Sequence, residues 1–214
     1  MTKPPYPQVA ERLPPGWVLL LDRIATRIPT GDFATGLALV DQIGAAAEAA
    51  GHHPDLDLRY TAVGVRLSSH DEGGVTERDL ALARTISDLA VAAGLTPSAL
   101  GVVQLELGLD TPDRTAVVPF WAAVLGATAR DIEVVDETAQ LPTIWFQKSG
   151  RDEPRQRWHH DLWVDPAEVQ PRIDAAVAAG GRLVSDTEAP SFWVLADPEG
   201  NRICLCTWQD RQVS

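Results

Sequence analysis

Tryptophan is distributed very unevenly along the chain, because six of the seven residues of this type lie beyond residue 95. The change in composition coincides with residues 94–101, GLTPSALG, where Gly, Pro and Ser follow one another as they do in connecting segments. Domains commonly contain about 100–150 residues, so a chain of 214 residues is long enough for two small ones. We therefore predict a first domain over residues 1–94, a linker over 95–101 and a second domain over 102–214.

The charge of the chain is strongly acidic, with 30 Asp and Glu against 18 Lys and Arg and a formal net charge of −12. Such a surface repels phosphate backbones and anionic lipids, which argues against nucleic acid and membrane partners. No apolar run approaches the ~20 residues that span a bilayer, and the first 15 residues lack the apolar centre of a signal peptide. We expect a cytoplasmic protein, and the two cysteines, Cys204 and Cys206, fit a reducing compartment.

The first domain is predicted to be an α+β fold of two layers, in which two amphipathic helices cover a small sheet. Strands are predicted over residues 17–29 and 58–68. One helix is predicted between Gly31-Asp32 and Ala50, and a second begins after Thr76, a natural N-cap. Helical spacing predicts that the first helix buries five residues: Phe33, Leu37, Val40, Ile43 and Ala47.

The second domain repeats one order of elements, β-α-β-β(-β), and we expect two small curved sheets that form a cleft. A turn is predicted over residues 197–201, DPEGN, between the last two strands. The predicted helices are 113–125 and 166–179, and the predicted strands are 102–109, 132–135, 143–148, 158–164, 182–185, 192–196 and 202–208.

All five histidines occupy three places, and two of these places lie in the first domain. Histidine has the unperturbed pKa nearest neutrality, so it is the natural proton carrier of an active site. His52 and His53 follow the end of the first helix, and Pro54 makes the chain extended there, so the two rings point in opposite directions. Glu48 lies one helical turn before His52, where it could accept a hydrogen bond from a ring nitrogen and fix the tautomer.

Each of these polar residues also has a purely structural interpretation. A pair of histidines at a helix end often serves as a polar cap, and Glu48 could be a solvated helix residue. Asp79 stands three residues after Thr76, where a capping box and a favourable interaction with the helix dipole are the default role.

The spacing of the polar residues carries more information than any one of them. Three residues separate Glu48 from His52-His53-Pro54. Nine residues separate Tyr60 from His70, and eight separate His70 from Asp79. This pattern resembles the signature of the pterin-4a-carbinolamine dehydratases, and the resemblance extends over roughly residues 13–94. It implies an α+β fold that is usually oligomeric, as a dimer or tetramer. It implies dehydration of a 4a-hydroxytetrahydropterin to a quinonoid dihydropterin, with no metal and no cofactor beyond the substrate pterin.

The resemblance also implies roles for individual residues. His52 and His70 correspond to the acid/base pair, His53 to a residue that binds or orients the pterin, and Asp79 and Glu48 to supporting carboxylates. The chemistry agrees, because elimination needs one proton delivered to the departing hydroxyl and one removed from the neighbouring ring nitrogen. The sequence departs from the family pattern in one respect, since Leu56 replaces an aromatic residue that is common shortly after His-His-Pro.

The second domain contains the segments FWAAVLG at 120–126, RWHHDLWV at 157–164 and ADPEGNRICL at 196–205. These segments resemble the vicinal-oxygen-chelate superfamily, which includes glyoxalase I and bleomycin-resistance-like proteins, and the resemblance covers roughly residues 102–209. Metal-dependent members carry His and Glu ligands on four strands. The positions that correspond here form a weak ligand set, so we predict no metal: Gln104 or Glu106, Gln147, His159 and Cys204.

Four residues of the second domain are predicted to line a ligand-binding cleft. His159, Asp161 and Trp163 share one face of a strand, and Cys204 joins them from the last strand. A flat ligand such as a pterin could lie between tryptophan rings. The alternative is that His159 and Asp161 form a hydrogen-bonded structural pair.

Three functions therefore follow from the sequence. The first is a dehydratase with an accessory ligand-binding domain. The second is a small-molecule binding protein without catalysis, and the third is a metal-dependent lyase or dioxygenase activity of the second domain.

Overall fold

The computed structural model describes residues 3–138, 141–149, 158–196, 200 and 202–211. Its contacts divide the chain into two units, one that runs to Val102 and includes the C-terminal residues from Trp208, and one that covers Val103–Thr207. The segment predicted as a linker, 95–101, belongs to the first unit. Ser98 exchanges two backbone hydrogen bonds with Arg27, at 2.9 and 3.0 Å, and Leu95 packs against the hydrophobic core.

The first unit is a four-stranded antiparallel sheet with helices, in the strand order β1-β2-β4-β3. Valine, leucine and isoleucine side chains of β2, β4, α2 and α3 form one continuous core. The elements are α1 Tyr6–Glu11, β1 Val18–Leu20, β2 Arg23–Pro29, α2 Phe33–Ala50, β3 Asp55–Arg59, β4 Ala62–Leu67 and α3 Glu77–Ala92.

Both strands predicted for this unit are hairpins rather than single strands. The first turns at Leu21, whose φ of 51° lies in the left-handed region, and the second turns at Tyr60 and Thr61. Neither turn carries the Gly, Pro or Asn-Gly signal that usually marks a hairpin, so the apolar alternation runs through them without a break. The α+β prediction for the unit is confirmed, but with more strands than the sequence indicated.

Helix α2 begins at the predicted place, because the Asp32 side chain accepts a hydrogen bond from the Thr35 backbone N–H at 2.8 Å. Its buried face is partly different from the predicted one, since Phe33 and Leu37 are each 47% exposed. The side chains of α2 are small or apolar on several of its sides, so the spacing of its apolar residues did not determine which side packs against the sheet. The side that packs contains Gly36, where a Cβ would stand only 2.8 Å from Leu58 Cδ1. The fully buried residues of α2 are Gly36, Leu39, Ile43 and Ala47.

Helix α3 follows the sequence prediction closely. Thr76 is its N-cap, as expected, and Leu80, Ala83, Ile86 and Ala90 are fully buried at helical spacing. Asp79, in the first turn, is also completely buried. A buried carboxylate needs hydrogen-bond partners, so this position points to the site described below.

The second unit is a single eight-stranded sheet, where the sequence predicted two small sheets. Its strand order is β10-β11-β12-β9-β5-β8-β7-β6, in which each half repeats one internal order. The two halves are joined into one sheet by antiparallel pairing of β5 with β9. The repeated order of elements does not determine whether the halves pair in this way. The elements are β5 Gln104–Thr111, α4 Arg114–Leu125, β6 Thr128–Ala129, β7 Glu133–Val135, β8 Ile144–Lys148, β9 Trp158–Trp163, α5 Pro166–Ala178, β10 Arg182–Ser185, β11 Phe192–Ala196 and β12 Arg202–Cys206.

The two faces of this sheet differ in chemistry. One face is apolar, and two clusters around Phe146 and Leu205 include residues of α4 and α5. Strand register places Glu106 opposite Asp161 and Gly108 opposite His159, so the polar residues share the other face. The turn predicted over 197–201 lies, except for Gly200, outside the described residues. Among the helices described, none is long and apolar enough to cross a membrane.

Candidate active site

His52 is held at the C-terminal end of α2 with its ring turned inward. Gly51 takes a left-handed conformation with φ of 59°, which ends the helix, and the His52 backbone N–H still donates to the Ala47 carbonyl at 3.2 Å. The residue is only 8% exposed. Its Nε2 lies 2.7 Å from Oδ1 of Asp79, a residue 27 positions later in the sequence.

Asp79 connects this histidine to the start of α3. Its second oxygen, Oδ2, accepts from the Ser69 hydroxyl at 2.7 Å, from the Thr76 backbone N–H at 2.7 Å and from the Thr76 hydroxyl at 3.1 Å. The capping box expected from the sequence is therefore present. The same carboxylate also fixes His52, so Asp79 is both a helix-capping residue and a residue of the candidate site.

The contact with Asp79 determines which nitrogen of His52 is open. A carboxylate accepts hydrogen bonds, so we assign the hydrogen to Nε2 and the lone pair of the neutral ring to Nδ1. Nδ1 makes no hydrogen bond within the described part of the chain. The ring is thus fixed through Nε2, and Nδ1 keeps a lone pair that no described residue uses.

A cleft of about 220 Å³ opens beside the His52 ring, between α2 and α3. Three alanines leave this space unfilled, because their side chains are short. The lining residues are Ala46, Ala50, His52, Arg78, Ala81, Leu82 and Thr85.

Arg78 brings a positive charge to this cleft. Its Nη2 donates to Oδ1 of Asp71, in the loop that precedes α3. This hydrogen bond raises the pKa of Arg78 and lowers the pKa of Asp71, and the nearby His52 lowers the latter further to a smaller extent. The pair therefore stays charged through the neutral range.

Glu48 contacts His53 and not His52, which corrects the contact expected from the sequence. Glu48 Oε1 lies 3.1 Å from His53 Nε2, and the two side chains are 81% and 62% exposed. The one-turn spacing from Glu48 to His52 applies only within a helix, and α2 ends at Ala50. The left-handed turn at Gly51 then directs His52 inward and leaves His53 outside, so adjacent rings do point in opposite directions.

His70 lies exposed in the loop between β4 and α3, and neither it nor His53 is among the cleft-lining residues. The structure thus places one of the three histidines in the wall of the cleft, although the roles implied by the family resemblance would bring all three to one bound pterin. The chain nevertheless holds His70 at the margin of this site. Its neighbour Ser69 donates to Asp79, and its other neighbour Asp71 accepts from Arg78.

Sequence reasoning missed three residues of this site, namely Ser69, Asp71 and Arg78. Ser69 and Asp71 flank His70 directly, and Arg78 precedes Asp79, so their proximity to predicted site residues was the available signal. Tyr60, the aromatic residue of the pattern, is 77% exposed in the turn between β3 and β4 and does not belong to the core.

The polar face of the second unit is built from three pairs, each of an aromatic nitrogen and a carboxylate oxygen. Trp163 Nε1 donates to Glu106 Oε2 at 2.9 Å, and Trp145 Nε1 donates to Asp161 Oδ2 at 3.2 Å. The third pair joins His159 Nε2 to Asp110 Oδ2 at 3.0 Å. His159 therefore pairs with Asp110, and the pair of His159 with Asp161, which was the structural alternative to a ligand-binding role, is not formed.

Trp163 was predicted to line a cleft, but it is only 2% exposed, so its ring serves mainly to hold the buried Glu106. Cys204 stands opposite Asp161 on β12 and is half-buried. Within the residues described, no three or more His, Cys, Asp or Glu side chains come together as metal ligands would.

Two family models match the chain, one for each part. The model described as pterin 4 alpha carbinolamine dehydratase matches residues 3–89, and the model described as a glyoxalase-like domain matches residues 106–206. Both agree with the resemblances that the sequence motifs indicated.

Two sequence relatives agree with the first of these matches. A proposed pterin-4-alpha-carbinolamine dehydratase of Nocardia farcinica is 46% identical over 76 residues, which is 36% of this chain and 80% of the relative. One from Chloroflexus aurantiacus is 43% identical over 82 residues, which is 38% of this chain and 86% of the relative. A crystal structure of a transcriptional coactivator/pterin dehydratase from Brucella melitensis is 29% identical, with a TM-score of 0.39, and the match covers 42% of this chain and 99% of that one.

Proposed function

The chain belongs to the pterin 4 alpha carbinolamine dehydratase family through its first unit, and on that premise we propose that it removes water from a 4a-hydroxytetrahydropterin to give a quinonoid dihydropterin. The observation that carries the proposal is the state of His52. Its ring is buried and held at Nε2 by Asp79, its Nδ1 has no hydrogen-bond partner among the described residues, and the residue lines a small cleft. This is the arrangement of a side chain that exchanges protons with a bound molecule.

The reaction requires only proton transfers. The bond from the ring-junction carbon to the hydroxyl oxygen breaks, and the departing hydroxyl takes up a proton to leave as water. The neighbouring ring nitrogen gives up its proton, and a carbon–nitrogen double bond forms between the two atoms. No electron is gained or lost, so no redox cofactor is needed, and we propose that the reaction uses no metal.

His52 Nδ1 carries one of these two protons in the proposal, and His70 carries the other. The role of His70 is supported by its position, because its neighbours Ser69 and Asp71 are hydrogen-bonded to Asp79 and Arg78 of the site. His53, outside the cleft and paired with Glu48, is assigned to binding or orienting the pterin. Asp79 holds the His52 ring in the orientation that the reaction uses.

For the second unit we propose an accessory role in binding a small ligand. The glyoxalase-like match and the polar face formed by Glu106, Asp110, Asp161 and His159 support this role. Ligand-binding surfaces of this kind combine aromatic rings with a few placed polar groups. The fold alone does not select a reaction, because one fold hosts many functions.

We also propose that the chain forms a homo-oligomer, a dimer or a tetramer. Phe33 and Leu37 lie one turn apart on α2, and each is 47% exposed, so the helix presents an apolar strip outside its own core. Light scattering on the purified protein would give the mass of the assembly. A monomer at micromolar concentration would contradict this part of the proposal.

The activity is tested by following dehydration of a freshly generated 4a-hydroxytetrahydropterin. We expect the full chain to exceed the spontaneous rate, and His52→Ala to lower the rate by about 100- to 10,000-fold. The control is His160→Ala, an exposed histidine of the second unit, which should leave the rate unchanged.

Two results would favour the other functions. Pterin binding with no acceleration of dehydration would indicate a binding protein. Stoichiometric divalent metal in the purified chain, lost on His159→Ala, would indicate a metal-dependent activity of the second unit.

A further inference from the structure

Ser69 is a buried residue that is connected to both of the proposed proton carriers. Its hydroxyl donates to Oδ2 of Asp79 at 2.7 Å, and the other oxygen of that carboxylate lies 2.7 Å from Nε2 of His52. His70 follows Ser69 directly in the sequence. The side chain of Ser69 is thus bonded to the carboxylate that fixes one proton carrier, while its backbone leads into the other.

The hydroxyl hydrogens around this carboxylate can be assigned from the contacts. A carboxylate only accepts hydrogen bonds, so the single hydroxyl hydrogen of Ser69 points to Asp79. The hydrogen of the Thr76 hydroxyl therefore serves the contact with Ser69, at 2.8 Å, and it is shared with the longer contact to Asp79, at 3.1 Å. Thr76 Oγ1 accepts in turn from the backbone N–H of Arg78 at 3.2 Å. The series of bonds runs in one direction, from the first turn of α3 through Ser69 to the partner of His52.

This series is withdrawn from water. Ser69, Thr76 and Asp79 are all almost completely buried. Hydrogen bonds in such surroundings are electrostatically stronger than in water, and successive bonds that point the same way polarise one another. A buried polar group that loses its partner does not readily replace it from the solvent. Removal of the Ser69 hydroxyl should therefore loosen Asp79, and with it the ring of His52.

Backbone hydrogen bonds close the loop that begins at Ser69 and carries His70. The Ser69 N–H donates to the Gly74 carbonyl at 2.9 Å, and the Gly74 N–H donates back to the Ser69 carbonyl at 3.3 Å. Within the loop, the Gly73 N–H donates to the His70 carbonyl at 3.3 Å. Because the loop is closed on itself, the place of His70 depends on how Ser69 is anchored.

We propose that Ser69 is a positioning residue for the dehydration, which fixes the loop of His70 relative to the ring of His52 because its hydroxyl is bonded to Asp79. This inference rests on the proposed function. The elimination needs two proton transfers at neighbouring atoms of one ring system, so the two carriers must be held in a defined arrangement. Ser69 itself transfers no proton in this account.

The first test measures kcat and KM for dehydration by the full chain with Ser69→Ala, which removes the hydroxyl and little volume. We expect kcat to fall by about 10- to 100-fold, as it does when reacting groups are misplaced, and KM to change by less than about two-fold. Ser68→Ala is the matched control, because the neighbouring Ser68 hydroxyl donates to the Asp22 carbonyl at 2.9 Å and not to Asp79. It should keep the kcat of wild type.

The second test does not depend on turnover. The Nε2 proton of His52 is buried and hydrogen-bonded, so its exchange with water can be followed by NMR on the 15N-labelled chain. Exchange should be about 10-fold faster in Ser69→Ala than in wild type and unchanged in Ser68→Ala. The backbone N–H of Ile86, in the buried part of α3, is the internal reference. A general loss of stability would speed its exchange by the same factor, and positioning by Ser69 would not.

The two tests separate this inference from the proposed function. If dehydration is accelerated and Ser69→Ala keeps the kcat of wild type, or raises only KM, the inference is overturned and the proposed function stands. Equal losses of kcat in Ser69→Ala and Ser68→Ala would also overturn it. If the chain does not accelerate dehydration, the proposed function is wrong. Faster exchange of the His52 proton alone in Ser69→Ala would then still support the part of the inference that Ser69 holds His52.

Discussion

Nε2 of His52 lies 2.7 Å from Oδ1 of Asp79, and the other oxygen of the same carboxylate closes the N-terminal cap of α3. One buried side chain therefore serves both the fold and the site. The end of α2 and the start of α3 are joined through it, at a position where Asp79 is completely buried. A change at Asp79 should consequently affect stability and activity together, because the cap of α3 and the contact with His52 both depend on it.

The stability of the first unit should depend strongly on Asp79. Asp79→Ala leaves the Ser69 hydroxyl and the Thr76 backbone N–H without their acceptor and removes half of the capping box. We expect a loss of about 2–4 kcal/mol in the free energy of unfolding, measured with urea. Glu77→Ala is the control in the same helical turn, because Glu77 is exposed, and it should have a much smaller effect. Equal losses in the two variants would contradict this account of the cap.

Helix α2 should show an acid-sensitive contribution from its own cap. Hydrogen bonds from Thr35 lower the pKa of Asp32 below its ordinary value of 3.8. A carboxylate whose pKa is lowered in the folded state stabilises the protein above the unfolded-state pKa, and this contribution is lost as the pH falls through the folded-state value. We expect Asp32→Ala to unfold at a lower urea concentration than wild type at pH 7. The difference should shrink below about pH 4, and a difference that is constant with pH would count against it.

Glu48 should be dispensable for the chemistry, because it contacts His53 on the surface and not His52. We expect Glu48→Gln to leave the unfolding free energy and kcat close to those of wild type, since exposed ion pairs contribute little. The comparison is with Asp79→Asn, which changes the carboxylate that does contact His52. A fall in kcat for Glu48→Gln as large as that for Asp79→Asn would show that the carboxylates have been assigned to the wrong histidines.

The second unit should depend on the pair of Trp163 and Glu106. Both residues are buried, and Trp163→Phe keeps the aromatic ring while it removes the N–H that donates to Glu106. We expect a loss of about 1–3 kcal/mol in the unfolding free energy of this unit. Trp145→Phe is the matched change at a half-buried pair on the same face, and it should have a smaller effect. If Trp145→Phe proved the more damaging of the two, the polar face would be arranged differently from this description.

Much of the fold was predictable because its signals are local. Asp32 and Thr76 are good N-caps, and both helices begin directly after them. The strand and helix order of the second unit also follows the repeated pattern of the sequence. The hairpin turns at Leu21 and Tyr60 were missed because they lack the usual turn residues, and the single eight-stranded sheet was missed because the pairing of β5 with β9 is a tertiary contact.

The site was predictable in its members and less so in its contacts. The spacing of the motif selected His52 and Asp79, which meet in the structure. It assigned Glu48 to the wrong ring, because the rule for neighbours on a helix fails once Gly51 ends α2 in a left-handed turn. It gave no role to Arg78, whose significance comes from a cleft between two helices that are distant in the sequence.

The central claim is that Asp79 acts through His52, and a double-mutant cycle in the dehydration assay tests it most directly. The rate is measured for wild type, His52→Ala, Asp79→Asn and the double variant. We predict that each single change slows the reaction and that the double variant is no slower than His52→Ala alone. The claim is contradicted if Asp79→Asn slows the His52→Ala chain by the same factor as it slows wild type.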